Sequence, residues 1–133
     1  MSKIKITILG CGSSGGVPRV GFGWGDCDPN EPRNRRRRCA LLVERIAEDG
    51  ASTSVLIDAG PDLREQLLSV NCHTLDAVLL THDHADHVHG IDDLRGIVLR
   101  QRARLPVYMD QRTSVGVFQR FGYAFHAAPQ SDY

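Results

Sequence analysis

The chain has 133 residues, 41% hydrophobic and 24% charged, and its 16 basic and 16 acidic side chains cancel to a formal net charge of zero. That length allows one domain with an ordinary globular composition, and the charge balance excludes a global field that would recruit nucleic acid or a membrane surface. Four cysteines without a Cys-x-x-Cys pair argue against a disulfide framework, and no apolar run is long enough to cross a bilayer. With an N-terminus that starts directly on a strand-like run and shows no secretory leader, the expectation is a cytoplasmic protein without a membrane partner.

Lys3-Ile4-Lys5-Ile6-Thr7-Ile8 alternates strictly and reads as a strand. Residues Gly10 to Asn34 are dense in Gly, Pro and polar groups and read as one long functional loop. Ala40 to Val43 and Ser54 to Ile57 read as a strand pair joined across Glu48-Asp49-Gly50. Pro61 and Asp62 then open a helix with Leu63, Leu67 and Val70 on one face. A strand over Ala77 to Leu80 follows, then a helix from about His87 carrying Ile91, Leu94 and Val98 at helical spacing. Leu105 to Met109 reads as a short strand and Thr113 to Phe121 as a last helix ending at Gly122.

Directly after Ala77-Val78-Leu79-Leu80 stands Thr81-His82-Asp83-His84-Ala85-Asp86-His87, with three histidines and two aspartates in six positions. Imidazole and carboxylate are the ligand set for zinc, manganese or iron. So dense a cluster calls for an opposing charge, and two divalent ions account for it better than one. In an extended segment, residues two apart point the same way, so His82 and His84 can share one metal. Asp86 and His87, where the chain turns into a helix, face another direction and suit a second.

The His-x-His-x-Asp-His pattern after an apolar strand resembles the metal motif of the metallo-β-lactamase superfamily. Val55-Leu56-Ile57-Asp58-Ala59-Gly60 is similar to that family's first motif, and the resemblance makes Asp58 a support for the metal loop. Ile8-Leu9-Gly10-Cys11-Gly12-Ser13-Ser14-Gly15-Gly16-Val17-Pro18 and the stretch from Trp24 to Cys39 resemble the branch containing the phosphonate-pathway phosphodiesterase for ribosyl cyclic phosphates. That branch is related to tRNA 3′-end processing endonucleases.

The resemblance implies an α/β fold: the N-terminal half of a four-layer αβ/βα sandwich, with a mixed sheet and helices on one face. Family members run to roughly twice this length, and their later motifs, which supply another His, a bridging Asp and a final His, would fall beyond Tyr133. Residues 1–133 are therefore expected to form one truncated metallo-β-lactamase-like domain. His126 lies too near the first motif to be the later histidine. Some members of the branch hold a structural zinc on cysteines near Cys27, but Cys27 has no close cysteine neighbours here and that site is not expected.

The implied chemistry is hydrolysis by water activated on a divalent ion, which can lower the pKa of water from 15.7 to about 7. His82 and His84 would hold one ion and Asp86 and His87 the other, with Asp86 also catalytic, orienting the attacking water or accepting its proton. Two divalent ions, zinc, manganese or iron, are the expected cofactors, with no organic cofactor. Asp83 stands as a solvent contact or an added ligand. The expected substrates are cyclic ribosyl phosphates or nucleotide-like phosphodiesters. The alternatives are a metal-binding chain without turnover and an RNA-binding or RNA-processing protein. Self-association or a missing C-terminal half completes the set of expected partners.

Three further features need weighing. Gly10-x-Gly12-x-x-Gly15 matches the dinucleotide fingerprint, which requires a helix to begin there. Gly16, Pro18, Gly21, Gly23 and Gly25 forbid a regular helix, leaving a loop with free amides beside the metal site. The run Arg35-Arg36-Arg37-Arg38 is open to three readings: a solvated face, a phosphate or RNA contact, or a partner for acidic residues of a missing segment. His89, Asp92 and Asp93 are candidates to touch the site from the following helix. Ile4, Ile6 and Ile8 share one strand face, and Leu42, Leu56 and Leu79 supply the other apolar strands. With few helices available, one sheet face is expected to lie open.

Overall fold

The computed structural model describes residues 1–126. Five strands form one sheet in sequence order: β1 (Lys3–Gly10), β2 (Ala40–Ile46), β3 (Ser52–Ile57), β4 (Ala77–Leu79) and β5 (Val107–Tyr108). The first two pairings are antiparallel and the last two parallel. Four helices accompany them: α1 (Leu63–Ser69), α2 (Ala85–Val88), α3 (Arg95–Gln101) and α4 (Gln111–Phe121). This is an α/β architecture with a mixed sheet, as the resemblance implies.

Strand direction places the functional edge. β1, β3, β4 and β5 run the same way and β2 runs against them. The carboxyl ends of those four strands and the start of β2 therefore share one edge. The glycine-rich loop, the segment after Ile57 and the histidine motif all emerge there. In open α/β sheets this is the edge at which ligands bind.

Register separates the two faces. Leu42, Leu56 and Val78 are direct neighbours across the strands, and all three are buried. They meet Leu63 and Leu67 of α1, Val88 of α2, Leu94 and Ile97 around α3, and Val117 of α4 in one core. On the opposite face Ile8, Leu41, Ile57, Leu79 and Tyr108 form one row, and Ile6, Val43, Val55 and Ala77 the next. Ile4, Ile6 and Ile8 remain 69%, 63% and 66% exposed. The helices thus cover one face only, as the resemblance implies. Leu79 belongs to this open face rather than with Leu42 and Leu56, because the parallel register puts Val78, not Leu79, beside Leu56.

Local chemistry explains the boundaries. The β2–β3 turn closes where Gly50 takes φ +85° and Asp49 accepts a bond from the Ala51 amide at 3.0 Å. Asp62 occupies the cap position of α1 but makes no side-chain cap bond, because its carboxylate is held by Arg38. Asp110 caps α4 by accepting from the Thr113 amide at 2.7 Å. β5 is shorter than the sequence predicts.

The single helix expected from about His87 is broken into α2, a 3-10 turn over Ile91–Leu94, and α3. The break falls at Gly90, whose amide donates to the Ala59 carbonyl at 2.8 Å. A Cβ at Gly90 would lie 2.0 Å from the Gly60 carbonyl, so this close approach requires glycine. The Gly10-to-Asn34 segment is a loop with one 3-10 turn at Pro32–Asn34. No α-helix opens at the glycine fingerprint, so a dinucleotide cradle is not formed.

Candidate metal centre

The site is organised by Asp58, the first residue after β3. Its φ of +64° is in the left-handed region, which costs a non-glycine residue about 1–2 kcal/mol. Three contacts offset that cost. Its amide donates to the Leu79 carbonyl at 2.9 Å, binding the ends of β3 and β4 together. Its carboxylate, only 5% exposed as a residue, accepts from the Thr81 amide at 2.8 Å and from the Thr81 hydroxyl at 2.9 Å. It also contacts His87 Nδ1 at 2.7 Å.

Hydrogen-bond logic then assigns the tautomers. A carboxylate only accepts, so His87 donates its Nδ1 proton to Asp58. The Thr81 hydroxyl has one proton, given to Asp58. Towards His82 Nδ1, 3.0 Å away, Thr81 must therefore accept. His82 accordingly holds its proton on Nδ1. One buried carboxylate thus reaches two imidazoles, one directly and one through a threonine.

The rings are gathered closely. His82 lies 4.6 Å from His84 and 4.0 Å from His87, centroid to centroid. The His82 ring is thus near both others, and the chain turns into α2 immediately after His84. Asp86, in the first turn of α2, brings Oδ2 to 3.2 Å from His87 Nε2. All four motif residues therefore reach one corner of the edge. Among the described residues no group of three or more His, Cys, Asp or Glu side chains forms a ready-made metal cage. The donor set itself, neutral imidazole nitrogens beside a carboxylate, fits a divalent ion of the zinc, manganese or iron kind.

The backbone around the motif is zipped to the segment after β3. The Ala59 amide donates to the His87 carbonyl at 2.7 Å. A Cβ at Gly60 would lie 2.1 Å from the Asp86 carbonyl oxygen. The Asp-Ala-Gly sequence after β3 is therefore a docking strip for the turn that carries Asp86 and His87.

Other candidates are placed elsewhere. Asp83 turns to Arg120. Asp92 accepts from the Tyr123 hydroxyl at 2.7 and 2.8 Å, and that bond pushes the phenol above its ordinary pKa. Asp93 lines a small cavity with His73 and Arg100. His89 packs its ring on Phe121 at 5.5 Å. His126 lines a cavity with Leu99, Arg104 and Tyr123. The four cysteines are free thiols.

The arginine run is divided among different partners. Arg38 pairs with Asp62 at 2.7 Å, Arg37 donates to the Ser69 hydroxyl at 3.2 Å, Arg36 reaches Cys11, and Arg35 lies over Trp24. The acidic partner of Arg38 is thus Asp62 of this same chain rather than a residue of a further segment. Sequence reasoning missed Thr81 as a relay, Arg120 as the partner of Asp83, and the Arg38–Asp62 pair. Only Thr81 had a signal, its position next to the first histidine.

Fold and site together define a metallo-β-lactamase-type domain. The β-lactamase superfamily domain matches residues 53–131, and the chain belongs to the metallo-β-lactamase superfamily. Within it the chain falls in the PhnP-like branch. A crystal structure of a diphosphatase from the PhnP family superposes with a TM-score of 0.79 at 37% identity, over 94% of this chain and 49% of that one. A protein of Porphyromonas gingivalis named octanoyltransferase is 40% identical over 126 residues, covering 95% of this chain and 24% of that protein. A ribonuclease Z of Methanopyrus kandleri is 40% identical over 80 residues, 58% of this chain and 27% of that enzyme. Zinc-bound PqqB from Methylobacterium extorquens shares the fold, with a TM-score of 0.65 at 23% identity over 96% of this chain and 43% of that one. The chain thus spans about half the diphosphatase chain and about a quarter of the two curated proteins.

Proposed function

We propose that this chain supplies the histidine-motif half of a metal-dependent hydrolase acting on phosphodiesters, with cyclic ribosyl phosphates or nucleotides as substrates. The observation that carries the reading is the Asp58 carboxylate, which orients His87 directly and His82 through Thr81. Likeness to a diphosphatase of the PhnP family and to ribonuclease Z supports a phosphate ester as substrate. The octanoyltransferase name belongs to a protein of which only 24% is matched and does not direct the reading.

In this proposal His82 and His84 hold one ion and Asp86 and His87 a second, zinc, manganese or iron in each case. Such ions supply Lewis acidity, lowering the pKa of water and neutralising charge that builds on a phosphate oxygen. The chain's own residues do the positioning. Asp58 holds the His87 ring directly and the His82 ring through Thr81, and Asp86 takes a proton from the attacking water or orients it. The domain, residues 1–133, is read as one part of a larger metal site, with the remaining ligands and the cover for the open sheet face coming from further chain or from a second copy. Four free cysteines fit a cytoplasmic location, and among the described residues no helix is long and apolar enough to cross a membrane.

Hydrolysis of bis(p-nitrophenyl) phosphate tests this. Activity is expected to be weak in this chain and restored when the chain is extended beyond Tyr133. In the extended protein His82→Ala or Asp86→Asn should each abolish most of it, since such groups act as a unit. Full activity in Asp86→Asn would refute the assignment of Asp86. RNA as the substrate would show instead as binding that weakens steeply with salt.

A further inference from the structure

Asp83 stands between His82 and His84, yet its side chain turns to α4. Arg120 Nη2 donates to Asp83 Oδ2 at 2.6 Å and to the Asp83 carbonyl oxygen at 2.5 Å. Arg120 Nε donates to the Gly116 carbonyl at 3.0 Å, one turn earlier in α4. A Cβ at Gly116 would lie 2.1 Å from Asp83 Oδ2. The helix surface is therefore shaped to receive this one carboxylate.

The pair is an unpromising source of global stability. Side-chain exposures of 35% for Arg120 and 42% for Asp83 leave it screened by solvent. The bond to the Asp83 carbonyl acts differently. It fixes the peptide plane joining Asp83 to His84, and with it the direction in which the His84 side chain leaves the backbone. α4 is itself well anchored, by its Asp110 cap, by fully buried Val117 and by the His89–Phe121 contact. His82 and His87 answer to Asp58; His84 has its backbone set from α4.

We propose that Arg120 is a positioning residue for the metal site, clamping Asp83 onto α4 so that His84 is aimed at the ion it shares with His82. This rests on the reading of His82 and His84 as metal ligands, and the experiment separates the two. Cobalt(II) affinity is measured by visible absorption for the chain, Arg120→Gln, Arg120→Lys, Asp83→Asn and His84→Ala. Imidazole nitrogen resonances are recorded on the metal-free proteins, alongside melting temperatures.

Arg120→Gln should weaken cobalt binding about 10- to 100-fold, the usual consequence of losing a group that orients a metal ligand, with little change in melting temperature. Arg120→Lys should recover part of the loss, because one ammonium cannot hold all three oxygens. In the metal-free Arg120→Gln protein the His84 resonances should move while those of His87 stay. Asp83→Asn should shift His84 less, since the carbonyl bond survives. Unmoved His84 resonances in Arg120→Gln overturn the clamp whatever the metal does, and where His84→Ala does weaken cobalt binding, wild-type cobalt affinity in Arg120→Gln overturns it as well. Undiminished cobalt binding in His84→Ala would instead overturn the ligand reading, and His84 resonances that still moved in metal-free Arg120→Gln would uphold the clamp on its own.

Discussion

The two parts of the histidine motif are held by contacts of different kinds. Thr81, His82 and His87 hang on a single carboxylate that is almost fully buried. Asp83 and His84 are held by an arginine in partial contact with water. A buried hydrogen-bond acceptor is costly to remove because its donors lose any substitute, whereas an exposed pair is replaced by solvent. The first lock should therefore govern both folding and metal binding, and the second mainly aim.

The strongest way to break the contrast is at Asp58. Asp58→Ala leaves the His87 and Thr81 donors without their acceptor, an expected loss of about 2–3 kcal/mol in urea unfolding. Asp58→Asn should tolerate the left-handed backbone, which asparagine adopts readily, and cost less stability. Its amide or carbonyl can no longer serve all the donors, so metal affinity should still fall by about tenfold or more. An Asp58→Ala chain as stable as the parent would remove the first lock from the account.

Next in size is Gly60→Ala. The added methyl would meet the Asp86 carbonyl, and forcing the turn of Asp86 and His87 away should cost about 1–3 kcal/mol. Denaturation with parallel metal titration would reveal it, and unchanged behaviour in both would show that the strip after β3 does not set the motif. Smaller again is Arg38→Ala. The Arg38–Asp62 pair is partly buried and should contribute about 1 kcal/mol, with the loss appearing as faster amide exchange in the glycine-rich loop rather than at the histidines.

The smallest expected effect is on pH. Hydrogen bonding from the Thr113 amide holds the Asp110 carboxyl below its ordinary pKa. A lowered folded-state pKa contributes stability above the unfolded value, and that contribution disappears as pH falls through the folded one. Acidification below about pH 4, near the ordinary aspartate value, should therefore loosen the start of α4, the helix that carries Arg120. Helical amide exchange in Asp110→Asn should be less sensitive to acid; equal sensitivity would rule out the cap as the cause.

How much of this the sequence discloses depends on range. The histidine motif is contiguous, so its chemistry can be read directly, and Asp58 is identifiable from the strand-Asp-Gly pattern. The open face is legible in the alternation of Ile4, Ile6 and Ile8. Long-range registers are not. Leu42, Leu56 and Leu79 all sit in apolar runs, and only the parallel pairing of β3 with β4 shows that Leu79 lies on the other face. The break at Gly90 depends on the approach of Gly60 from another segment. Arg120 is 37 positions from Asp83, and no local signal distinguishes it from any other arginine on a helix.

Metal content after dialysis tests the central claim most directly. Measured by elemental analysis on the chain and on His82→Ala and His87→Ala, it should show fewer than two tightly held divalent ions per parent chain, since four candidate ligands leave both sites open to water. Each variant should hold less than the parent. Retention undiminished in both variants would contradict the account, because the metal would then be held somewhere other than the histidine motif.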